Sequence, residues 1–252
     1  MAIRKSSSAF TLAVLGVLCG TAMLAIFLGS RLVAYDMVRR MARQDPRLFV
    51  VPQTLPVVAA SSGAGITLSR FGFTFEAPWQ DLDRIEDHKS LAVIFFKSGR
   101  SVAVIDPKQQ VDRIKMVRDQ AAKDGQNPQD SFAPETLASN YQFVNTAFSM
   151  TPARVSLLMA GKDMMKDSIL LGIKGAEIVY TETGLYAVKV HGWQGFQKGD
   201  PAQQVTTILD LFDEQDHELR LKISTRNLAT APITQGDLNR ILLTVQADAA
   251  RK

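Results

Sequence analysis

The chain has 252 residues, of which 46% are hydrophobic and 21% charged, and its formal net charge is +4. Such a composition excludes an intrinsically disordered chain. Its one cysteine, Cys19, excludes an intrachain disulfide and a cysteine-based metal site. Nucleic-acid binding is also not expected, because seven of the basic residues flank one apolar segment and the others form no stripe with aromatic residues.

Residues 9–29 contain no charge and no proline. A helix of about 20 apolar residues matches the ~30 Å hydrocarbon core of a bilayer, whereas the apolar part of a cleaved signal has only about 7–15 residues. Cleavage after Ala22 would leave an apolar terminus, and Leu18 before Cys19 is too large for a lipoprotein signal. The sequence therefore predicts a transmembrane anchor over residues 9–29, after a short basic tail over residues 1–8.

Residues 30–47 continue a helical pattern as far as Asp45-Pro46, which is a typical helix end. The apolar residues on one face of this pattern are Ala34, Met37, Val38 and Met41. The arginines expected at the membrane surface are Arg31, Arg39, Arg40, Arg43 and Arg47. An arginine near anionic headgroups contributes on the order of 1 kcal/mol. The pattern therefore predicts a juxtamembrane amphipathic helix that contacts the lipid bilayer, and a solvated helical stalk is the alternative.

Two signals conflict over the orientation of the anchor. Arg4 and Lys5 before a long apolar segment are typical of a signal anchor that exports the domain behind it. The larger number of arginines after the segment favours the opposite orientation under the positive-inside rule. We expect a single-pass protein of a bacterial inner membrane with an extracytoplasmic domain, and a cytoplasm-facing scaffold is the alternative.

Residues 48–65 hold two prolines, several small residues and two glycines, which predicts an extended linker before a single domain over residues 66–252. The domain begins with three strand patterns, which are TLSRFGFTFEAP, LAVIFF and SVAVID. The last two flank a KSGR turn, where Gly99 supplies the positive φ of a hairpin. Residues 81–88 (DLDRIEDH) predict a short amphipathic turn with its acids outward.

Three helices are predicted next. The first begins at Asp106-Pro107, the second at Pro134 and the third at Thr151-Pro152. Four strand patterns follow, which are AEIVYTE, GLYAVKVHGW, QQVTTILDLFDE and HELRLKIST. The last one alternates leucine and isoleucine with polar residues, so one face of the sheet should be wet. Thr234, with Asp237 three positions later, predicts the start of a final helix.

Strand clusters separated by a block of helices predict an α+β fold, with one antiparallel sheet of about six or seven strands packed by helices. An early hairpin after the turn at Pro78-Trp79, and a closing meander with a helix, resemble the order of elements in the PsbP-like family. That resemblance implies an α/β/α sandwich and carries no functional residue to this chain.

Three groups of residues carry reactive or metal-binding side chains. None of them has the position or spacing that catalysis or metal binding requires. Residues 149–152 (Ser-Met-Thr-Pro) resemble the Ser-Met-x-Pro element of signal peptidases, but they lie about 120 residues beyond the anchor at a predicted helix start. The acids of residues 81–88 lack the glycine and the closing glutamate of a calcium loop. His88, His191 and His217 have no second ligand close in sequence. We expect no catalytic residue, no metal and no cofactor.

The stretch HGWQGFQKGDP combines glycines with large aromatic residues, which predicts a mobile loop. Its Trp193 and Phe196, together with Trp79, would form an exposed aromatic surface for a protein partner. The alternative is that these side chains close the ends of the core. We expect a membrane-anchored, non-catalytic domain that binds a partner or supports an envelope assembly, and a membrane-tethered hydrolase with a dispersed active site is the alternative.

Overall fold

The structure is a computed structural model, and it describes residues 29, 31–123, 125, 127–130, 132–156 and 161–247. The predicted basic tail and all of the predicted anchor except Gly29 lie outside the described residues. Within the part of the chain that is described, no helix is both long enough and apolar enough to cross a bilayer.

The described residues form a mixed α+β domain, as predicted. In chain order the strands are β1 (Gln53–Thr54), β2 (Ile66–Arg70), β3 (Phe73–Ala77), β4 (Leu82–Asp87), β5 (Leu91–Phe96), β6 (Arg100–Ile105), β7 (Leu185–Val190), β8 (Trp193–Lys198), β9 (Thr206–Phe212), β10 (Glu218–Thr225) and β11 (Gln246–Ala247). The α-helices are α1 (residues 31–44), α2 (Arg113–Lys123), α3 (Asn140–Ser149), α4 (Gly161–Glu177) and α5 (Gln235–Thr244).

The strands form two sheets rather than the single sheet that was expected. The large sheet has eight strands in the order β1-β7-β8-β9-β10-β6-β5-β4, and the small sheet has three in the order β11-β3-β2. Strand pairing is antiparallel except between β1 and β7, which run parallel. The sequence predicted about six or seven antiparallel strands. It missed β8, which its glycines made look like a loop, and it missed the short strands and the edge strand β4 because their patterns are weak or polar.

Several local predictions are confirmed. Gly99 has a φ of 87° in the tight turn between β5 and β6, where a side chain would be strained. Thr234 and Asp237 form the reciprocal hydrogen bonds of a capping box at the start of α5. Helix α1 ends before Asp45-Pro46, and the Asp45 carboxylate accepts a hydrogen bond from the Arg47 N–H.

Other local predictions are wrong, and each error has a local cause. The stretch TLSRFGFTFEAP is a hairpin of β2 and β3, because Phe71 and Gly72 adopt positive φ values of 53° and 79° and reverse the chain. The acid-rich residues 81–88 contribute the edge strand β4 rather than a turn. The expected strand AEIVYTE does not form, because α4 continues to Glu177 and the chain then turns.

Two layers cover one face of the large sheet. The small sheet and α5 pack on this face, and side chains from every layer are fully buried there. Examples are Ile94, Val104, Leu221, Phe75 and Ile241. The alternation of leucine and isoleucine with polar residues in β10 predicts this core face.

The opposite face of the large sheet is covered over only part of its width. Helix α3 packs on β8 and β9, where Phe148 meets Phe196 edge to face at 4.7 Å between ring centroids. Helices α2 and α4 and the inner side of α1 form a second cluster against α3. Of the four apolar residues predicted to share one face of α1, Ala34, Val38 and Met41 are buried or half-buried, whereas Met37 is exposed and does not share their face.

Residues 48–65 lie against the domain and are not the extended spacer that their composition predicts. Leu48 is buried beneath α3 and β8, and Leu55 packs against the main core. Strand β1 pairs with β7, and the Ser61 hydroxyl donates to the Asp237 carboxylate over 2.6 Å. The folded unit therefore includes residues well before Ile66, because main-chain pairing and apolar contacts hold this segment.

Candidate functional site

The three aromatic side chains predicted to form an exposed surface are buried. Trp79 contacts Phe96 and Trp193 contacts Phe73, both in the main core, and Phe196 has no exposed surface. Trp193 and Phe196 lie three positions apart on one strand, so their side chains point to opposite faces of the sheet. The alternative, in which these aromatic rings belong to the core, describes the structure.

The glycine-rich stretch around them is strand β8 rather than a mobile loop. Its Gly195 allows close contact with the neighbouring strand, because a Cβ at this position would lie 1.9 Å from the Asp210 carbonyl oxygen. Glycine composition alone cannot distinguish a loop from a strand that approaches another backbone closely.

The five arginines of the predicted membrane surface have different environments. Arg47 is bound to Asp45 and to Glu182, which fastens the end of α1 to the loop before β7. Arg40 pairs with Asp36 on the exposed side of α1, and Arg31 is half-buried. Arg39 lies over the Tyr35 ring and, with Arg43, lines a cleft of about 400 Å³.

The other reactive side chains are not brought together. The Ser149 hydroxyl donates to the Asn145 carbonyl within α3, and its hydrogen bond therefore stays inside the helix. His217 contacts the Asp213 carboxylate in an exposed turn at 2.9 Å. Among the described residues, no three histidine, cysteine, aspartate or glutamate side chains are placed to hold a metal ion.

A network of six charged side chains lies between the helices and the large sheet. It contains three cations and three carboxylates, which are Arg113, Lys198, Arg220, Glu177, Asp210 and Glu218. The network joins α2 and the end of α4 to strands β8, β9 and β10. Its charges balance, so burial leaves no net charge in the interior.

Glu177 is the centre of this network. Its carboxylate binds Arg113 at 2.6 Å, Lys198 at 2.9 Å and Arg220 at 3.1 Å. Burial by itself raises the pKa of Glu177, but these three cations outweigh burial and hold that pKa well below its usual value. The carboxylate is therefore ionised at neutral pH and already occupied by protein donors, which fits a structural role rather than proton transfer.

Lys174 of α4 is a buried cation that binds main-chain groups. Its ammonium donates to the carbonyl oxygens of Phe148 and Met150, which lie at the C-terminal end of α3. Burial, with a smaller effect of the Arg154 charge, lowers the pKa of Lys174 to about 8. A cation placed on free carbonyls at a helix end stabilises that end, so Lys174 caps α3.

The main surface feature is an uncovered part of the helix-side face of the large sheet, which we call the open face. We define the open face by half-buried apolar side chains of β5 and β6, which are Leu91, Val93, Phe95, Ala103 and Ile105. Lys222 of β10 lies in the same row as Ala103 and Val93. None of the three buried clusters includes these apolar side chains, and within the described residues no helix packs closely on β5 or β6.

One end of the open face is a polar cleft of about 340 Å³. Arg84 lies over the Phe95 ring at 4.1 Å, and Ser101, Ser224 and Thr206 continue the row across the sheet. The hydroxyls of Thr206 and Ser224 are 3.0 Å apart. This end therefore presents hydroxyl and guanidinium donors beside an apolar surface.

Sequence reasoning missed both the charged network and the open face. The signal for the network was a charged residue inside an otherwise apolar strand, as with Asp210 in TTILDLF. The signal for the open face was LAVIFF, which is apolar on both of its faces and is thus typical of a strand covered on both sides. In the structure Ile94 is buried and Val93 is only half-buried.

Comparisons with protein-family models, with curated proteins and with solved structures each find no match to this chain.

Proposed function

We propose that the protein is a non-catalytic, membrane-anchored domain that binds a protein partner through the open face. The observation that carries the proposal is an apolar sheet surface that no described helix covers, next to a fully packed core face on the same strands. Apolar patches rimmed by polar groups on a folded domain mark interaction sites. The aromatic surface first expected from Trp79, Trp193 and Phe196 has no part in this proposal, because those rings are buried.

The anchor belongs to the proposal through the sequence of residues 9–29, which is long and apolar enough to span a bilayer. Arg39, Arg40 and Arg43 are exposed on α1, so they remain candidates for contact with anionic headgroups. Leu32, Val33 and Met37 are exposed on the same helix and would enter the headgroup layer beside them. Arg47 is left out, because Asp45 and Glu182 already bind it.

We further propose an inner-membrane location with an extracytoplasmic domain, and a PsbP-like α/β/α sandwich. The layered arrangement supports the second point, since α5 lies on one side of the large sheet and α3 on the other. An alkaline phosphatase fusion after Lys252 tests the orientation, because phosphatase activity requires export. An inactive fusion would favour the cytoplasm-facing scaffold.

Site-specific photo-cross-linking in cells tests partner binding. A photoreactive amino acid replaces Val93 or Ile105 on the open face, and Lys123 at the end of α2 serves as the control position. We expect one defined adduct, identified by mass spectrometry, from both open-face positions and none from Lys123. Equal labelling of all three positions, or no adduct, would contradict the proposal.

Membrane attachment is tested on the same cells by carbonate extraction. The full chain should stay in the pellet, and a chain of residues 30–252 should leave it. Recovery of the full chain in the soluble fraction, with residues 1–29 removed, would contradict the anchor.

A further inference from the structure

Three cations that surround the open face bind no other charge. Lys97, Lys222 and Arg226 form no ion pair within the described part of the chain. The Lys222 ammonium donates to the neutral Tyr180 hydroxyl over 3.2 Å, and Lys97 and Arg226 are exposed at the cleft end of the face.

Three acidic side chains near the open face accept hydrogen bonds from groups of the protein itself. Asp83 and Glu86 both bind Arg84, at 2.9 Å and 2.7 Å. Asp81 accepts a hydrogen bond from the Ser98 N–H in the β5–β6 turn. These three carboxylates are outnumbered by Arg84, Lys97, Lys222 and Arg226, so the surface around the apolar side chains keeps an excess of positive charge. Carboxylates on a partner would complement it.

The size of the open face fits one helix. Neighbouring strands in a sheet lie about 4.8 Å apart, so the distance from β5 across β6 to β10 is roughly 10 Å. This width matches the ~10 Å diameter of an α-helix with its side chains. Helix α3 already covers the adjacent strands in this way, with Tyr141 stacked on Phe196.

We propose that the open face binds an acidic amphipathic helix of a protein partner. Its apolar side packs on Val93, Phe95 and Ile105, and its carboxylates meet Lys97, Lys222 and Arg226. The Ser101 and Ser224 hydroxyls supply further donors at the cleft end. This is the helix-in-groove mode of recognition, with charge setting specificity. The inference rests on the proposed partner-binding function and names the chemistry of that partner.

The test uses two labelled synthetic helices and the full chain in neutral detergent micelles. Both helices carry the same leucine stripe, and they differ only in having glutamate or lysine on its flanks. Fluorescence anisotropy should show that the glutamate helix binds at least about tenfold more tightly, and that added salt weakens its binding. Equal affinities, or no binding of either helix, would overturn the inference.

Charge reversal locates the interaction. The double variant Lys97→Glu and Arg226→Glu should weaken binding of the glutamate helix about tenfold or more. The matched control, Lys123→Glu with Lys189→Glu, makes the same change of charge away from the open face and should leave the affinity unchanged. Equal effects of the two double variants would overturn the inference.

Val93→Asp separates this inference from the proposed function. The variant should remove binding of the glutamate helix while circular dichroism and Tm stay near the values of the parent chain, and Ile105→Asp provides a second apolar probe. If the open-face cross-link in cells depends on Val93 but not on Lys97 or Arg226, the partner-binding function stands and the acidic partner is wrong. Displacement of the glutamate helix by short-chain phosphatidylglycerol would assign the face to lipid and overturn the inference.

Discussion

The helix-side face of the large sheet has a covered half and an open half. Under α3 and α4, strands β8 to β10 carry apolar side chains such as Phe196 together with ionised ones such as Lys198 and Asp210, and all of these are buried. On β5 and β6 the same face carries apolar side chains such as Val93 and Phe95, and these are only half-buried. The polarity of the side chains therefore does not indicate which half of the sheet the helices cover.

The difference shows that helices can be held on a sheet by ion pairs as well as by the burial of apolar side chains. On the covered half, three cations and three carboxylates bind one another and join helices to strands. Removing one member of a buried ion pair is costly because its partner stays buried without compensation. Within the described residues no helix is attached to the open half in this way, and its apolar side chains remain half-exposed.

The largest expected effect comes from Glu177→Gln, which breaks the attachment of the covered half. Two buried cations and the half-buried Arg220 would then face two carboxylates, which should lower the free energy of unfolding by about 3–5 kcal/mol. Urea denaturation of the full chain in detergent measures the change. Glu182→Gln removes a carboxylate from an exposed pair with Arg47 and should cost less than about 1 kcal/mol. Similar losses for the two variants would contradict a structural role of the network.

Ile94 and Val93 are adjacent in β5, and they allow the packed core face and the open face of the same strand to be compared. Ile94→Ala deletes atoms from the packed core and should cost about 3–4 kcal/mol, whereas Val93→Ala on the open face should cost less than about 1 kcal/mol. The same denaturation experiment compares them. A large loss for Val93→Ala would mean that something covers the open face in the isolated protein.

Lys174 gives a pH-dependent test within the covered half. Its pKa is lowered from 10.5 to about 8 in the folded state, so between these values the unfolded chain keeps a proton that the folded chain has released. Stability should therefore rise with pH in this window, by on the order of 3 kcal/mol relative to Lys174→Met. Thermal or urea unfolding between pH 7 and pH 11 measures the difference between the two proteins. Parallel pH profiles would show that Lys174 does not titrate in this way.

The smallest effect is expected on the outer side of α1. Asp36→Ala removes the exposed ion pair with Arg40 and should change stability by about 0.5 kcal/mol or less. The comparison with Glu177→Gln contrasts an exposed pair with one arginine and a largely buried carboxylate that binds three cations. A loss near that of Glu177→Gln would show that α1 is held by this pair.

Local signals predicted the elements whose geometry a few neighbouring residues decide. The hairpin at Gly99, the capping box of Thr234 and Asp237 and the end of α1 before Pro46 follow from turn and cap chemistry. Predictions from composition were wrong where a segment is ordered by contacts with residues far away in the sequence. The glycines of β8 and the small residues before Ile66 suggested loops, but strand pairing orders both segments.

The sequence by itself determined the α+β class, the β5–β6 hairpin, the capping box of α5 and the apolar segment of residues 9–29, because each depends on neighbours along the chain. Only the tertiary structure decided which side of each strand is covered and which charges are paired. Arg113 and Glu218 are 105 positions apart, yet they bind each other between a helix and a sheet. Alternation along a strand gives two faces, but what packs on each face is set by where the rest of the chain goes.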